Sequence, residues 1–177
     1  MQNMKKAFTM IELVFVIVVI GILAAVIIPN TRTNPVEEAA ISLLSQVRYT
    51  QHLAMVDDKY GAPNWFRNRW QITFNGNTYS IEHNNNTAFA QDPQTKQNIQ
   101  GIVLNGLSNI VLDGDCLNET IISFDHLGRP LRGNLAGTAT SYVAGQIVDA
   151  NCTIILTNGT ETAFIDIVPE TGYSRIR

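Results

Sequence analysis

From Leu13 to Ile28 the chain runs sixteen residues without a polar side chain. Carried back to Phe8, the segment is interrupted only by Thr9 and Glu12 and reaches twenty-one residues. As a helix that length covers about 30 Å, the thickness of bilayer hydrocarbon. Beyond Pro29 the pattern changes. Val36, Ala40, Leu43, Val47 and Ala54 recur at helical spacing, with Leu44 widening the stripe, while Glu37, Glu38, Gln46, Arg48 and Gln51 take the other faces. That spacing predicts an amphipathic helix whose stripe packs on a domain. Pro29 and Pro35 each lack a backbone donor, so the helix is expected to kink or loosen there. It should end near Asp57–Gly61, where breakers collect.

After Gly61 the period shortens to two. Trp70, Ile72 and Phe74 alternate with Gln71 and Thr73; Asn75-Gly76-Asn77 follows, and then Tyr79 and Ile81 alternate with Ser80 and Glu82. Alternating runs about Asn-Gly predict a hairpin. A second is expected from Thr153–Leu156, Asn158-Gly159 and Ala163–Val168. Asn84 to Gln100 reads as a long polar loop. Ile102–Leu104, Ile110–Leu112 and Ile121–Phe124 read as short strands, the last followed by a turn over Asp125–Pro130. One long N-terminal helix followed by short strands predicts an α+β fold. Its helix is membrane-spanning in the first half and amphipathic in the second, and packs on a mainly antiparallel β-sheet head.

Composition and charge narrow this picture. The chain has 177 residues, of which 45% are hydrophobic, a share that the N-terminal segment inflates, and its formal net charge is -3. No broadly basic domain is present, so charge alone does not suggest non-specific nucleic-acid binding. Lys5 and Lys6 precede the apolar run and only Arg32 follows closely. The bias expects a short cytoplasmic N-terminus and an extracytoplasmic head. A cleaved secretory signal would carry a shorter apolar stretch; a plain signal anchor would share the basic, apolar, outside order. Two cysteines, Cys116 and Cys152, both fall in the outer region, where oxidising conditions favour a disulfide; two buried thiols are the alternative. Two cysteines without a histidine cluster do not make a zinc site.

The stretch Lys5-Lys6-Ala7-Phe8-Thr9-Met10-Ile11-Glu12-Leu13, with Pro29 at its far end, resembles the prepilin signal and N-terminal helix of the type IV pilin family, which includes the pseudopilins of type II secretion. Ala7 stands where Gly is usual, and Met10 where Leu is common. The resemblance implies cleavage by prepilin peptidase between Ala7 and Phe8 and methylation of the new amine. The implied organisation is a leader over 1–7, a transmembrane assembly helix over 8–29, an amphipathic continuation over 30–60, and an extracytoplasmic β-rich head over 61–177. It places the chain in the bacterial inner membrane in a single pass, with a periplasmic head, and then in a pilus or pseudopilus. Arg48 to Ala54, Trp65 to Trp70, Phe124 with Gly128-Arg129-Pro130, and Gly172 with a short basic tail are similar to the GspH/FimT group of minor pilins and pseudopilins.

A carboxylate near lipid is costly and is usually kept for a purpose. Glu12 is therefore the foremost candidate, and the resemblance implies that it pairs with the amine of Phe8 in a neighbouring subunit. Gly21, Ala24 and Ala25 would let such helices approach closely. The implied partners are other pilin subunits, the peptidase and the inner membrane. DNA is a further candidate partner through Arg175 and Arg177, supported by Arg129 and Arg132, although Tyr173 stands after Gly172 where the group carries Arg. His52, His83 and His126 show no metal spacing. Asp113-Gly114-Asp115 reads as a turn before a calcium site. No enzyme constellation, metal site or cofactor site is expected. A major pilin, a DNA-capturing competence pilin and a signal-anchored periplasmic receptor or enzyme remain as alternatives.

Overall fold

The computed structural model describes residues 9–27, 34–57, 59, 61–83, 88–133 and 144–177. It divides into two compact units, Met1–Asn34 and Pro35–Arg177. The first contains helix α1, Met10–Ile27. Its eighteen residues cover about 27 Å, and Phe8 and Ile28, the ends of the expected span, lie outside the described residues. Among the described residues no helix is long and apolar enough to cross a membrane.

The second unit opens with α2, Pro35–Val56. Its end matches the breakers that follow. Pro35 occupies the first helical position, where its missing N–H breaks no helical bond and its fixed φ suits the turn. The expectation of a kink inside a helix at Pro35 is therefore corrected: this proline starts one. Pro29 lies outside the described residues. The expected Val36, Ala40, Leu43, Val47 and Ala54 are buried, joined by Ala39 and Thr50, while Leu44 is half-buried.

Among the described residues ten strands follow: β1 Gln71–Asn75, β2 Thr78–His83, β3 Ala88–Phe89, β4 Ile102–Val103, β5 Asn109–Gly114, β6 Ile121–Phe124, β7 Pro130–Arg132, β8 Cys152–Thr157, β9 Thr162–Ile167 and β10 Ser174–Ile176. They form two sheets. One has the order β3-β2-β1-β6-β7, with β4 also on β2; the other has the order β10-β9-β8-β5. Every pairing is antiparallel. The fold is α+β.

Both expected hairpins form. In β1–β2, Asn75 faces Thr78, leaving Gly76-Asn77 as a two-residue loop. Gly76 has φ +60, the sign that the first central position of this tight turn demands. In β8–β9 the Asn158 carboxamide oxygen accepts from the backbone of Thr160 and Glu161 at 3.0 and 2.8 Å. The α2 stripe packs against Ile72, Ile81, Ile122 and Phe124 of the first sheet and Ile154, Leu156, Ile165 and Ile167 of the second.

Two expectations need correction, and one buried polar face was not anticipated. The loop expected over Asn84–Gln100 contains β3, and its backbone ties to the sheet through Ala90 to Ile81 and Ile99 to Ala90, both 2.8 Å. On the polar side of β1, Gln71 is buried with Glu82 and Ser123. The C-terminal tail is strand β10 rather than a loose basic end.

Candidate assembly site

Thr9 precedes α1. The Glu12 N–H donates to the Thr9 carbonyl at 3.1 Å and lies 3.4 Å from its hydroxyl. Thr9-x-x-Glu12 has the spacing of a capping box, in which the hydroxyl serves an orphan donor of the first turn. That signal stood in the sequence beside Glu12 and was missed. A carboxylate in the first turn also meets the positive end of the helix dipole. Past Glu12 the helix is apolar on every side. Met10, Ile11, Phe15, Ile20, Ile22 and Leu23 are all more than half exposed. A helix without a polar face needs an apolar surround, either lipid or other helices. Lys5, Lys6, Ala7 and Phe8 lie outside the described residues.

In the head, the residues that carried the group resemblance converge. Late in α2, Gln51 Nε2 donates to the carbonyls of Gly128 and Thr171, each at 2.9 Å. One turn earlier, Arg48 Nη2 donates to the Ser174 carbonyl at 2.7 Å and lies 5.9 Å from the centre of the Tyr173 ring. The helix thus clamps the turn after β6 and the turn before β10. Gly172, at φ +65, sits in the clamp, and a Cβ there would fall 2.4 Å from the Gly128 carbonyl and 2.6 Å from Gln51 Nε2. Beside it, buried Asp125 accepts from the backbone of Leu127 and Arg129 at 3.0 and 2.8 Å and from Arg129 Nε at 2.7 Å. These residues fix the seat of the head on α2.

Cys116 and Cys152 form the disulfide, with Cα atoms 5.2 Å apart, and both are fully buried. Next to it Asp115 pairs with Arg132 and accepts from the Asp149 N–H at 2.9 Å. Its carboxylate thereby holds the loop before β8, which fits the turn reading over the calcium one. Among the described residues no group of His, Cys, Asp or Glu could hold a metal ion.

The arginines proposed for DNA do not form a common patch of free cations. Arg129 serves Asp125, Arg132 serves Asp115, and Arg177 lies 3.6 Å from Asp166 and 5.0 Å from the centre of the Phe164 ring. Of the four, Arg175 alone has no described partner. Phosphate binding needs several available cations, so the DNA expectation loses its support.

The histidines separate too. His83 stands 4.3 Å from the Trp70 ring and His126 6.2 Å from Trp65, while His52 is exposed. Burial, then the Lys59 ammonium, pull the His83 pKa down. Burial pushes Asp57 up, but hydrogen bonds from Lys59 and Trp70 outweigh it and hold this carboxyl low. The cavity among Asp57, Trp65, Trp70 and His126 measures about 10 Å³, room for no more than a water.

Against this geometry, residues 2–28 match the family model described as the prokaryotic N-terminal methylation motif. That is the signal of type IV pilins and pseudopilins, and it supports a type IV pilin-like or pseudopilin protein, a structural class rather than an enzymatic one. The motif implies processing by prepilin peptidase and assembly with other pilin subunits. No curated protein and no solved structure matches the chain.

Proposed function

We propose that this chain is a minor pilin or pseudopilin of the GspH/FimT type, a structural subunit of a type IV pilus or a type II secretion pseudopilus. Residues 1–7 are its leader, cut between Ala7 and Phe8, and the new Phe8 amine is methylated. Residues 8–29 anchor it in the inner membrane and then pack into the filament core, 30–60 carry the amphipathic helix α2, and 61–177 form the periplasmic head. Lys5 and Lys6 keep the leader cytoplasmic. The observation that carries this reading is the methylation motif lying on a helix that is apolar all round and exposed. The group assignment draws support from Gln51, Gly128 and Gly172 meeting at one point.

Glu12 is the assembly residue. A carboxylate leaving water for a bundle of apolar helices needs a cation, and the N-methylated Phe8 amine of a neighbour supplies one while fixing axial register. Glu12→Gln keeps the size and removes the charge. The variant should still be processed at Ala7–Phe8 but should be lost from sheared or purified filaments. Incorporation equal to that of the parent chain would remove Glu12 from this role.

A further inference from the structure

The sheet β10-β9-β8-β5 has an acidic edge and a basic edge that lie in the same cross-strand row. Asp113 on β5 pairs with Thr153, Thr153 with Asp166, and Asp166 with Arg175 on β10. Asp113 and Arg175 are both exposed, and neither has a described partner. Four antiparallel strands also make the two outer strands run in opposite directions. A second copy brought alongside by translation therefore presents β10 antiparallel to β5.

The hydrogen-bonding phases agree with that placement. The Ile110 N–H turns away from β8, since it donates to the Gly76 carbonyl at 2.9 Å. By alternation Leu112 presents its N–H and C=O to the same open side. On β10, Arg177 N–H donates to Phe164 and the Tyr173 carbonyl accepts from Val168, at 3.0 and 2.9 Å. The odd residues of β10 thus face β9, and Ile176 faces outward. Setting Arg175 opposite Asp113 puts Ile176 opposite Leu112, two outward-facing residues that can exchange both backbone hydrogen bonds.

Beside this edge runs a groove of about 410 Å³, lined by Ile110–Asp113, Ile155 and Leu117–Thr120. A strand residue fills on the order of 150 Å³, from its rise, strand spacing and sheet thickness. The groove therefore has room for a short strand such as β10. Its apolar members Val111 and Leu117 are exposed, as an unoccupied docking surface requires.

We propose that β5 and its groove receive strand β10 of a second copy of this chain, in the register Asp113–Arg175 and Leu112–Ile176. The contact is heterologous, so it propagates in one direction and does not close into a pair. It adds a head-to-head contact to the filament reading above but does not depend on N-terminal processing. One hydrogen-bonded residue pair and one ion pair make it weak for free heads, and it gains from the high effective concentration of tethered neighbours.

In this register Asp113 and Arg175 form a non-hydrogen-bonded pair, with Cα atoms about 4.5 Å apart, within disulfide reach. The test co-reconstitutes full-length Asp113→Cys and full-length Arg175→Cys at high density in lipid vesicles, where tethering supplies the effective concentration that the contact needs, and oxidises them. Both sites are exposed, and retention of the native Cys116–Cys152 bond and of the melting temperature confirms folding. The expected result is a heterodimer formed at least about tenfold faster than with Asp113→Cys plus Leu127→Cys, and little product from either variant alone. Equal rates for the two mixtures, or Asp113→Cys pairing as readily with itself, would overturn the proposal. Methylated Phe8 in a chain that fails this test would leave the pilin reading intact.

Discussion

Gly172→Ala tests the seat of the head on α2. The glycine has φ +65, a conformation that costs a residue with a Cβ about 1–2 kcal/mol. The added methyl would also lie 2.4 Å from the Gly128 carbonyl and 2.6 Å from Gln51 Nε2. Gln51 must then leave, and with it go its bonds to Gly128 and Thr171, each contributing about 1 kcal/mol. These terms sum to about 3–4 kcal/mol before the Gly128 carbonyl is displaced, which for a domain of this size lowers the melting temperature by at least roughly 9 °C. Gly76→Ala is the control. Its φ is +60, but nothing lies within 4 Å of its Cβ, so only the conformational cost of about 1 kcal/mol remains. Circular-dichroism melts and urea titrations of the full chain in detergent measure both. If the two variants lose the same stability, the crowding at Gly172 and the clamp by Gln51 play no part.

Two further outcomes follow from other parts of the head. Cys116→Ser/Cys152→Ser opens a bridge spanning 36 residues, and on the chain-entropy model should lose about 4 kcal/mol in urea unfolding; a loss under about 1 kcal/mol would contradict a structural role for the disulfide. His83 has its folded pKa below the usual 6.5, so the native head binds this proton more weakly than the unfolded chain does. Stability should be level above about pH 6.5 and decline as pH falls below it, and His83→Gln should flatten the upper part of that decline. Asp57, also held low, contributes stability that persists to more acid pH and is lost as the pH falls through its own lowered pKa. An unfolding midpoint that rises on acidification from about pH 6.5 to 5 would reverse the sign of the His83 argument.

The parts legible in the sequence are those whose cause is local. A 3.6-residue period marked Val36, Ala40, Leu43, Val47 and Ala54 of the buried α2 stripe but not Ala39 and Thr50, and Asn75-Gly76 and Asn158-Gly159 marked both hairpins, because periodicity and turn chemistry act over a few residues. Pro35 misled because its effect depends on where the helix begins: the same ring that breaks an interior turn suits a first one. β3 escaped notice because Ala88–Phe89 is held by partners on β2, which no short window contains. Gln71 and Ser123 are polar and yet buried, which alternation alone does not reveal. The tail gave no sign of being β10, since the β9 residues that pair with Ser174–Ile176 lie outside any short window. At the assembly site Glu12 was legible from its cost near lipid, whereas its neighbour Thr9 as a helix cap was also local and was overlooked. The meeting of Gln51, Gly128 and Gly172 joins residues up to about 120 positions apart, beyond any local pattern, and only the resemblance drew those segments out together.

The central claim is pilin-type maturation. The measurement that tests it most directly is the intact mass and N-terminal sequence of the protein purified from its own membranes. The account expects a chain that begins at N-methylated Phe8, with the uncut precursor accumulating where prepilin peptidase is absent. A mature chain that retains Met1 and Lys5-Lys6, unchanged by loss of the peptidase, would contradict it and leave a signal-anchored head.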